Sequence, residues 1–254
     1  MQWVTQGSVL GPVLFIVYIN DLDANIVSKL LKFADDSKLT RGVKKFEDSY
    51  RLREDLQKLF KWTEDWQMNF NLDKCKVMHV GNKNNKNRYV VDGHILEDVE
   101  EEKDLGVIMN NKFKVGSHCA KVTKKANKVL GLIYRTFSNK NKNIIIKLYK
   151  SLVRPHLDYC CLVWRPHLQK DIDLLERVQK RATRMIPECK GLSYEERLRK
   201  VGLTTLETRR IRADLLKVYK IVNRLEGIDE KNLFLRRNVA TKGLHSSQSN
   251  SFEF

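Results

Sequence analysis

Apolar and polar positions along this chain fall into two regimes. Residues 13–19 are apolar nearly all round, which predicts a short helix buried on every side. It is entered through Gln6-Gly7-Ser8-Val9-Leu10-Gly11-Pro12, with Pro12 suited to the first helical turn, and it should stop near Asn20-Asp21. A second apolar run, residues 26–34, ends at Asp35-Asp36-Ser37, and residues 38–43 follow as a further strand-like run. Together they predict a short β-hairpin with Asp35 and Asp36 at its tip. Residues 46–66 carry Phe46, Tyr50, Leu56, Leu59, Phe60 and Trp66 at roughly helical spacing, with Trp62 one turn before Trp66. These aromatics are expected in a core. Residues 75–80 alternate as a strand, and 82–87 form a polar loop. Residues 89–91 and 94–96 flank Asp92-Gly93 as a type I′ hairpin. The acidic run 98–102 reads as a solvated connection and 104–109 as one more short strand.

From about residue 115 the period becomes helical. One stripe is Val122, Ala126, Val129, Ile133 and Phe137. Residues 144–153 make a second helix. Ile172, Leu175, Val178, Ala182 and Met185 mark a third, ended by Pro187, and Leu215, Tyr219, Val222 and Leu225 mark a fourth. From Asn238 the chain is polar and Ser-rich, the composition of a disordered tail. The expected class is α+β: strands and two helices over residues 1–112, an all-helical region over 113–237 and a tail over 238–254, with the main boundary near 110–116.

Charge sharpens that division. The chain has 254 residues, 48 Lys+Arg against 31 Asp+Glu, and a net charge of +17. Residues 1–110 carry 16 basic against 18 acidic side chains, and residues 111–254 carry 32 against 13. A carboxylate-bearing half joined to a strongly basic half suits a polyanionic partner. The basic residues are ordered: Lys121, Lys124, Lys125 and Lys128 stand at offsets 0, 3, 4 and 7, and Arg177, Lys180, Arg181 and Arg184 repeat them. Such offsets share one face of a helix. Lys217, Lys220 and Arg224 form a partial third stripe. A solvated surface also accommodates lysines, but like charges one turn apart repel, so two unbroken stripes favour contact with a polyanion. No apolar run approaches the length of a membrane span, and the first residues lack the features of a secretory signal. The five cysteines, Cys75, Cys119, Cys160, Cys161 and Cys189, form no CxxC pair and read as reduced thiols, mostly in cores, of an intracellular protein.

Paired carboxylates at a hairpin tip can bind a hard divalent cation such as Mg²⁺, although Asp and Ser are also ordinary turn residues. The surrounding motifs decide between these readings. Gln6-Gly7-Ser8-Val9-Leu10-Gly11-Pro12 with Tyr18-Ile19-Asn20-Asp21-Leu22, then Phe33-Ala34-Asp35-Asp36, then Trp66 to Asn69 with Asn71, Lys74 and Cys75, and finally Leu105-Gly106-Val107, resemble in order and spacing the palm of the reverse transcriptases of LINE-type, non-long-terminal-repeat retrotransposons. The segment 148–159, Trp164 and residues 175–182 are similar to the region C-terminal to the polymerase domain in these elements, extending the resemblance to roughly residues 6–225.

The resemblance implies a partial polymerase palm, with an antiparallel sheet and helices, leading into a basic, helical, thumb-like region. It implies nucleotidyl transfer with two Mg²⁺ ions, an RNA template, a DNA primer or duplex and deoxynucleoside triphosphates as partners, and some time in the nucleus. Asp35 would be the main metal ligand and Asp36 a supporting one. Lys74 would assist the leaving pyrophosphate, Gln6 and Gly7 would lie against nucleotide and template, and Leu105 and Gly106 would belong to the primer grip. Lys121, Lys124, Lys125, Lys128, Arg177, Lys180, Arg181 and Arg184 would hold the nucleic-acid backbone. The family's site takes a further Asp from a strand before the Gln-Gly motif, and only five residues precede Gln6. Thr5 also stands where the family usually has Pro. The expectation is therefore a chain that lacks the N-terminal half of its polymerase and is inactive alone. The alternatives are a non-catalytic nucleic-acid-binding remnant that uses the basic helices, and a remnant without a stable fold.

Overall fold

The computed structural model describes residues 7–81, 84–228, 236–237 and 251–252. The chain divides into two units, Met1–Lys114 and Val115–Phe254. The expected disordered tail lies outside the described residues, except that Ser251–Phe252 pair antiparallel with Arg236–Arg237.

The first unit mixes helices with small sheets. Helix α1 spans Leu10–Tyr18. Strand β1, Lys29–Phe33, pairs antiparallel with β2, Asp36–Thr40. Helix α2 covers Phe46–Asp65, and the Asp48 carboxylate accepts from the Lys44 and Lys45 amides, both at 3.0 Å, at its N-terminus. Its inner face, with Leu52, Leu56 and Phe60, covers a cluster of Tyr89, Val91 and Leu96 that Leu72, Cys75 and Val77 complete. Four short strands supply that region: β3 (Lys76–Val77), β4 (Val90–Val91), β5 (His94–Ile95) and β6 (Glu97–Asp98). The β4–β5 hairpin turns on Asp92-Gly93, both at positive φ, as a type I′ turn requires. Strands β7 (Glu101–Asp104) and β8 (Val107–Asn110) form the last hairpin of the unit.

Several expectations are corrected here. Helix α1 is not enclosed: Ile16 is 60% exposed, and Val13, Leu14 and Val17 are exposed as well. A helix apolar all round needs neighbours on every side. Among the described residues only its C-terminal end has them, where Tyr18 meets Trp62 and Trp66 edge-on and Ile19 and Leu22 are buried. Phe46 is 73% exposed, and Tyr50 and Trp66 are also exposed. Phe46 is the first residue of α2, Tyr50 lies about 120° around the helix from the centre of its inner face, and Trp66 comes after the last turn. The antiparallel sheet is not continuous: among the described residues strands pair two by two, and β3 with β6 is parallel. Residues 98–102 are not merely a connection, because they enter both β6 and β7. Residues 104–109 are not one strand: Leu105 and Gly106, at φ 44° and 88°, turn the chain between β7 and β8.

The second unit is helical apart from the Arg236–Arg237 and Ser251–Phe252 pairing. Helix α3 is Gly116–Thr136, and α4, Lys142–Leu148, is capped by the Asn141 side chain. A π turn at Tyr149–Val153 leads into α5, Arg154–Asp158. Pro155, which has no amide hydrogen and crowds the preceding turn, accounts for the local widening. Helix α6 is Gln169–Arg184. Helix α7, Tyr194–Val201, has a Ser193/Glu196 capping box and ends on left-handed Gly202, and α8 is Leu206–Val222. The buried face of α3 is Cys119, Thr123, Ala126, Leu130 and Ile133, rotated from the expected stripe, so Phe137 is exposed. On α8, Leu206, Arg210 and Ile221 are buried. The stripe of Leu215 and Tyr219 is exposed, as is Leu225 beyond the helix, because the helix meets its neighbours through other residues.

Polar side chains tie this unit together. Gln179, fully buried on α6, accepts from the Tyr149 hydroxyl at 2.9 Å and donates to Glu176 (3.2 Å), Tyr194 (3.0 Å) and the Thr204 carbonyl (2.9 Å). Glu176 also accepts from the Tyr194 hydroxyl and, at 3.0 Å, from the Leu206 amide that opens α8. Burial first, then the nearby Asp158 carboxylate, pushes the Tyr149 phenol well up. Burial and the hydrogen bond to Glu176 do the same for Tyr194. Substituting Gln179→Leu strands two of these partners, the Tyr149 hydroxyl and the Thr204 carbonyl. The expected cost is about 3 kcal/mol or more, read as a lower midpoint in denaturant unfolding.

Candidate functional site

The β1–β2 ladder pairs Phe33 with Asp36, leaving Ala34-Asp35 as a two-residue loop. Ala34 takes φ 49°, the left-handed region that non-glycine residues seldom occupy. Leu30, Lys32 and Leu39 share the half-buried face of the hairpin. Leu31, Phe33, Asp36 and Lys38 share the other, which is exposed. Asp35 and Asp36 are both exposed, and among the described residues neither carboxylate has a hydrogen-bond or ion-pair partner.

Two anchors hold the hairpin. Asp55, whose side chain is 1% exposed on α2, accepts from the Val27 amide at 3.2 Å and the Ser28 amide at 2.7 Å, just before β1 begins. Burial works against its charge, but Ser28, Val27 and Lys58 outweigh it and hold the carboxyl below its ordinary value of 3.8. Lys32, in β1, donates to the carbonyls of Ile19 (3.2 Å) and Asn20 (2.9 Å) and to Asp23 (2.7 Å), closing the C-terminal end of α1. The pairing with Lys32 lowers the Asp23 carboxyl. A third link comes from β2: Lys38 forms an ion pair with Asp104, next to the Leu105-Gly106 turn. The structure thus brings the Asp-Asp hairpin and the Leu105-Gly106 hairpin together.

The other expected site residues in this unit stand apart. Gly7 is exposed at φ 92°, and Gln6 lies outside the described residues. Lys74 ends the short 3-10 turn Leu72–Lys74 and is exposed. Among the described residues no hydrogen bond, ion pair or ring contact joins Gly7 or Lys74 to Asp35 or Asp36. Nor do any three His, Cys, Asp or Glu side chains form a group able to hold a metal ion among them. Mg²⁺ is commonly held by one or two carboxylates together with substrate phosphates and water. Asp35 and Asp36 therefore fit part of a site for one such ion.

In the second unit, Lys121, Lys124, Lys125 and Lys128 project from α3, and Arg177, Arg181 and Arg184 from α6, all exposed and about 180° around their helices from the buried faces. Lys180 differs: it is half-buried and its ammonium stands 5.2 Å from the centre of the Tyr194 ring. Among the described residues none of these eight cations has an acidic partner. The third stripe is different, since Lys217 and Lys220 both face Glu226.

The family model for reverse transcriptase (RNA-dependent DNA polymerase) matches residues 2–134. The chain belongs to the reverse transcriptase family. Curated relatives support its LINE-type character. The RNA-directed DNA polymerase from mobile element jockey of Drosophila melanogaster is 24% identical over 241 residues, 90% of this chain and 25% of that protein. Its counterpart from Drosophila funebris is 28% identical over 184 residues, 66% of this chain and 20% of that protein. The probable RNA-directed DNA polymerase from transposon X-element of Drosophila melanogaster is 24% identical over 196 residues, 73% of this chain and 22% of that protein. The chain thus spans about a quarter or less of these relatives. No solved structure matches it. No helix among the described residues is long and apolar enough to cross a membrane.

Asp55, Lys38 and Asp104 escape the motif reading of this chain. Asp55 had a signal: an acid on the same helical face as Leu52, Leu56 and Leu59 must find partners when that face is buried. Asp55→Asn removes the charge that holds the two amides and is expected to cost about 1–3 kcal/mol near neutral pH. The folded-state carboxyl lies below 3.8, so its stabilising contribution is full above about 4 and lost as pH falls through the folded value. Unfolding midpoints of wild type and variant should therefore converge in acid.

Proposed function

We propose that this chain contributes the Asp-Asp part of a polymerase palm, in which Asp35 and Asp36 help to hold Mg²⁺ for nucleotidyl transfer on an RNA template. The observation that carries the reading is the family's Asp-Asp motif at a hairpin tip with both carboxylates exposed and unpartnered. Bound there, the ions would acidify a primer 3′-hydroxyl and neutralise charge on the attacking and leaving oxygens. Asp35, in the loop, is the main ligand, and Asp36, first in β2, supports it. Leu105-Gly106, tied to the hairpin through Lys38 and Asp104, carries the primer end. Lys74 serves the leaving pyrophosphate, and Gln6 and Gly7 the nucleotide and template. Because the described residues offer two carboxylates here and no third, the site needs a donor from beyond them.

Primer extension on an RNA template with Mg²⁺ tests this. The expected result is no product from the chain alone, and product after addition of a separately expressed fingers-and-palm segment of a related polymerase, lost with Asp35→Ala. Extension by the chain alone that Asp35→Ala abolishes would overturn the need for an outside donor. No extension in the complemented reaction would overturn the catalytic reading.

A second reading has its own observation: two basic helix faces without acidic neutralisation favour a thumb-like nucleic-acid-binding surface that functions without catalysis. Log affinity for duplex DNA should then fall linearly with log salt at about −0.9 per phosphate contacted. Replacing Arg177, Arg181 and Arg184 by Glu should flatten that slope by about 2–3. An unchanged slope and affinity would exclude α6 from the interface.

A further inference from the structure

Tyr134, in the last turn of α3, is 53% exposed. The Lys140 ammonium stands 3.8 Å from the centre of its ring, covering one face. Tyr134 also lines a surface pocket of about 270 Å³ with Arg181, Arg184 and Met185, and Lys140 is not among its lining residues. Arg181 is steadied by a 3.3 Å hydrogen bond from its guanidinium to Asn127 Oδ1 of α3. Among the described residues Lys140, Arg181 and Arg184 have no acidic partner.

These features define a ligand. The pocket lies just under the range of about 300–1,000 Å³ that takes drug-sized molecules, so it suits one ring system. Its walls are an aromatic ring, a thioether and two guanidiniums, which suit a flat π-system carrying negative charge at its edge. An ammonium already on one face of Tyr134 leaves the other for stacking. Aromatic rings accept any base because every base has a π face, and neighbouring cations track the phosphates. Inside a duplex the base faces are covered by their neighbours, so an interior base pair cannot use such a ring and an unpaired nucleotide can.

We infer that Tyr134, with Lys140, Arg181 and Arg184 around it, is a stacking site for an unpaired nucleotide of a single strand. The inference rests on the proposal that the basic faces of α3 and α6 meet nucleic acid, and adds what the strand presents there. It makes this end of the surface a place where a duplex gives way to a single strand. The two Arg residues act on phosphates in either form, whereas Tyr134 acts only on the unpaired base.

Fluorescence anisotropy with labelled oligodeoxynucleotides tests the site, using an intact single strand, the same strand with abasic positions, and a duplex. Wild type should bind the intact strand roughly tenfold more tightly than the abasic one. Tyr134→Ala should remove most of that ratio while leaving duplex affinity unchanged. Tyr134→Phe, which keeps the ring, should keep the ratio, and Tyr134→Leu, which keeps apolar bulk without a π face, should lose it. Equal binding of intact and abasic strands by wild type, or an equal loss on strand and duplex in Tyr134→Ala, overturns the site while leaving duplex binding to stand. Binding of neither strand nor duplex overturns the interface as well. Displacement of the strand by micromolar adenosine monophosphate would make this a mononucleotide pocket and overturn its assignment to a strand.

Discussion

The Asp-Asp hairpin is positioned by one buried carboxylate. Asp55 presents two oxygens to the Val27 and Ser28 amides at the point where the chain enters β1. Those amides precede the β1–β2 ladder, so without Asp55 they would be left unpaired beside a packed helix, at a cost of about 1–3 kcal/mol each. The carboxylate thereby turns the side of α2 into the start of the hairpin. Lys32 answers from the next turn of chain, taking the Ile19 and Asn20 carbonyls at the end of α1. One acid supplies acceptors and one base supplies donors, and between them α1, α2 and β1 keep a fixed relation. Among the described residues the tip beyond them spends no hydrogen bond on its own carboxylates, the state that the proposed cation site requires.

The second unit solves a similar problem around one buried amide. Gln179 both accepts and donates, so one buried amide joins the π turn, α6, α7 and the entry to α8. Around it, Arg197 reaches the Thr183 hydroxyl at 3.1 Å and the Leu192 carbonyl at 2.8 Å, and Arg210 stands over Trp164 while donating to the Leu157 carbonyl. These inward-facing arginines are structural, and their burial separates them from the outward-facing Arg177, Arg181 and Arg184. Residue type alone does not make that separation; position on the helix does.

The α+β class, most of the long helices and the hairpins at Asp35-Asp36 and Asp92-Gly93 were legible because each depends on local chemistry, whereas α7 and the first half of α8 had no expectation to match. The illegible part depended on which face a neighbour covers. Helical spacing groups Phe46 and Tyr50 with Leu56, Leu59 and Phe60, yet the β4–β5 hairpin covers only the arc of Leu52, Leu56 and Phe60. Periodicity gives a stripe's existence, and contact with a second element gives its angle. Leu105-Gly106 misled for a related reason. A two-residue turn inside a run of strand formers leaves little local trace when Leu takes the first position, although Gly106 was a signal of a break. The candidate site divides along the same line. Its motif residues are named by the sequence alone, while Asp55, Lys38 and Asp104 come into view only through tertiary pairing.

The basic faces raise the question of what keeps them unneutralised. Like charges one helical turn apart cost about 0.2–0.5 kcal/mol per pair in an isolated helix, so each stripe costs about 1 kcal/mol. That is small beside the Gln179 network, and the fold tolerates it. The same unit shows that acids could have been placed nearby: Glu226 answers Lys217 and Lys220, and Asp158 answers Arg154 and Arg209. Folding therefore does not require the outer faces of α3 and α6 to stay bare, and it does not require their charges to alternate in sign. Seven exposed cations on two helices, without an acidic partner among the described residues and with the exposed ring of Tyr134 beside two of them, are the arrangement that the proposed polyanion-binding surface needs: cations left unneutralised, and an aromatic where a base could reach it.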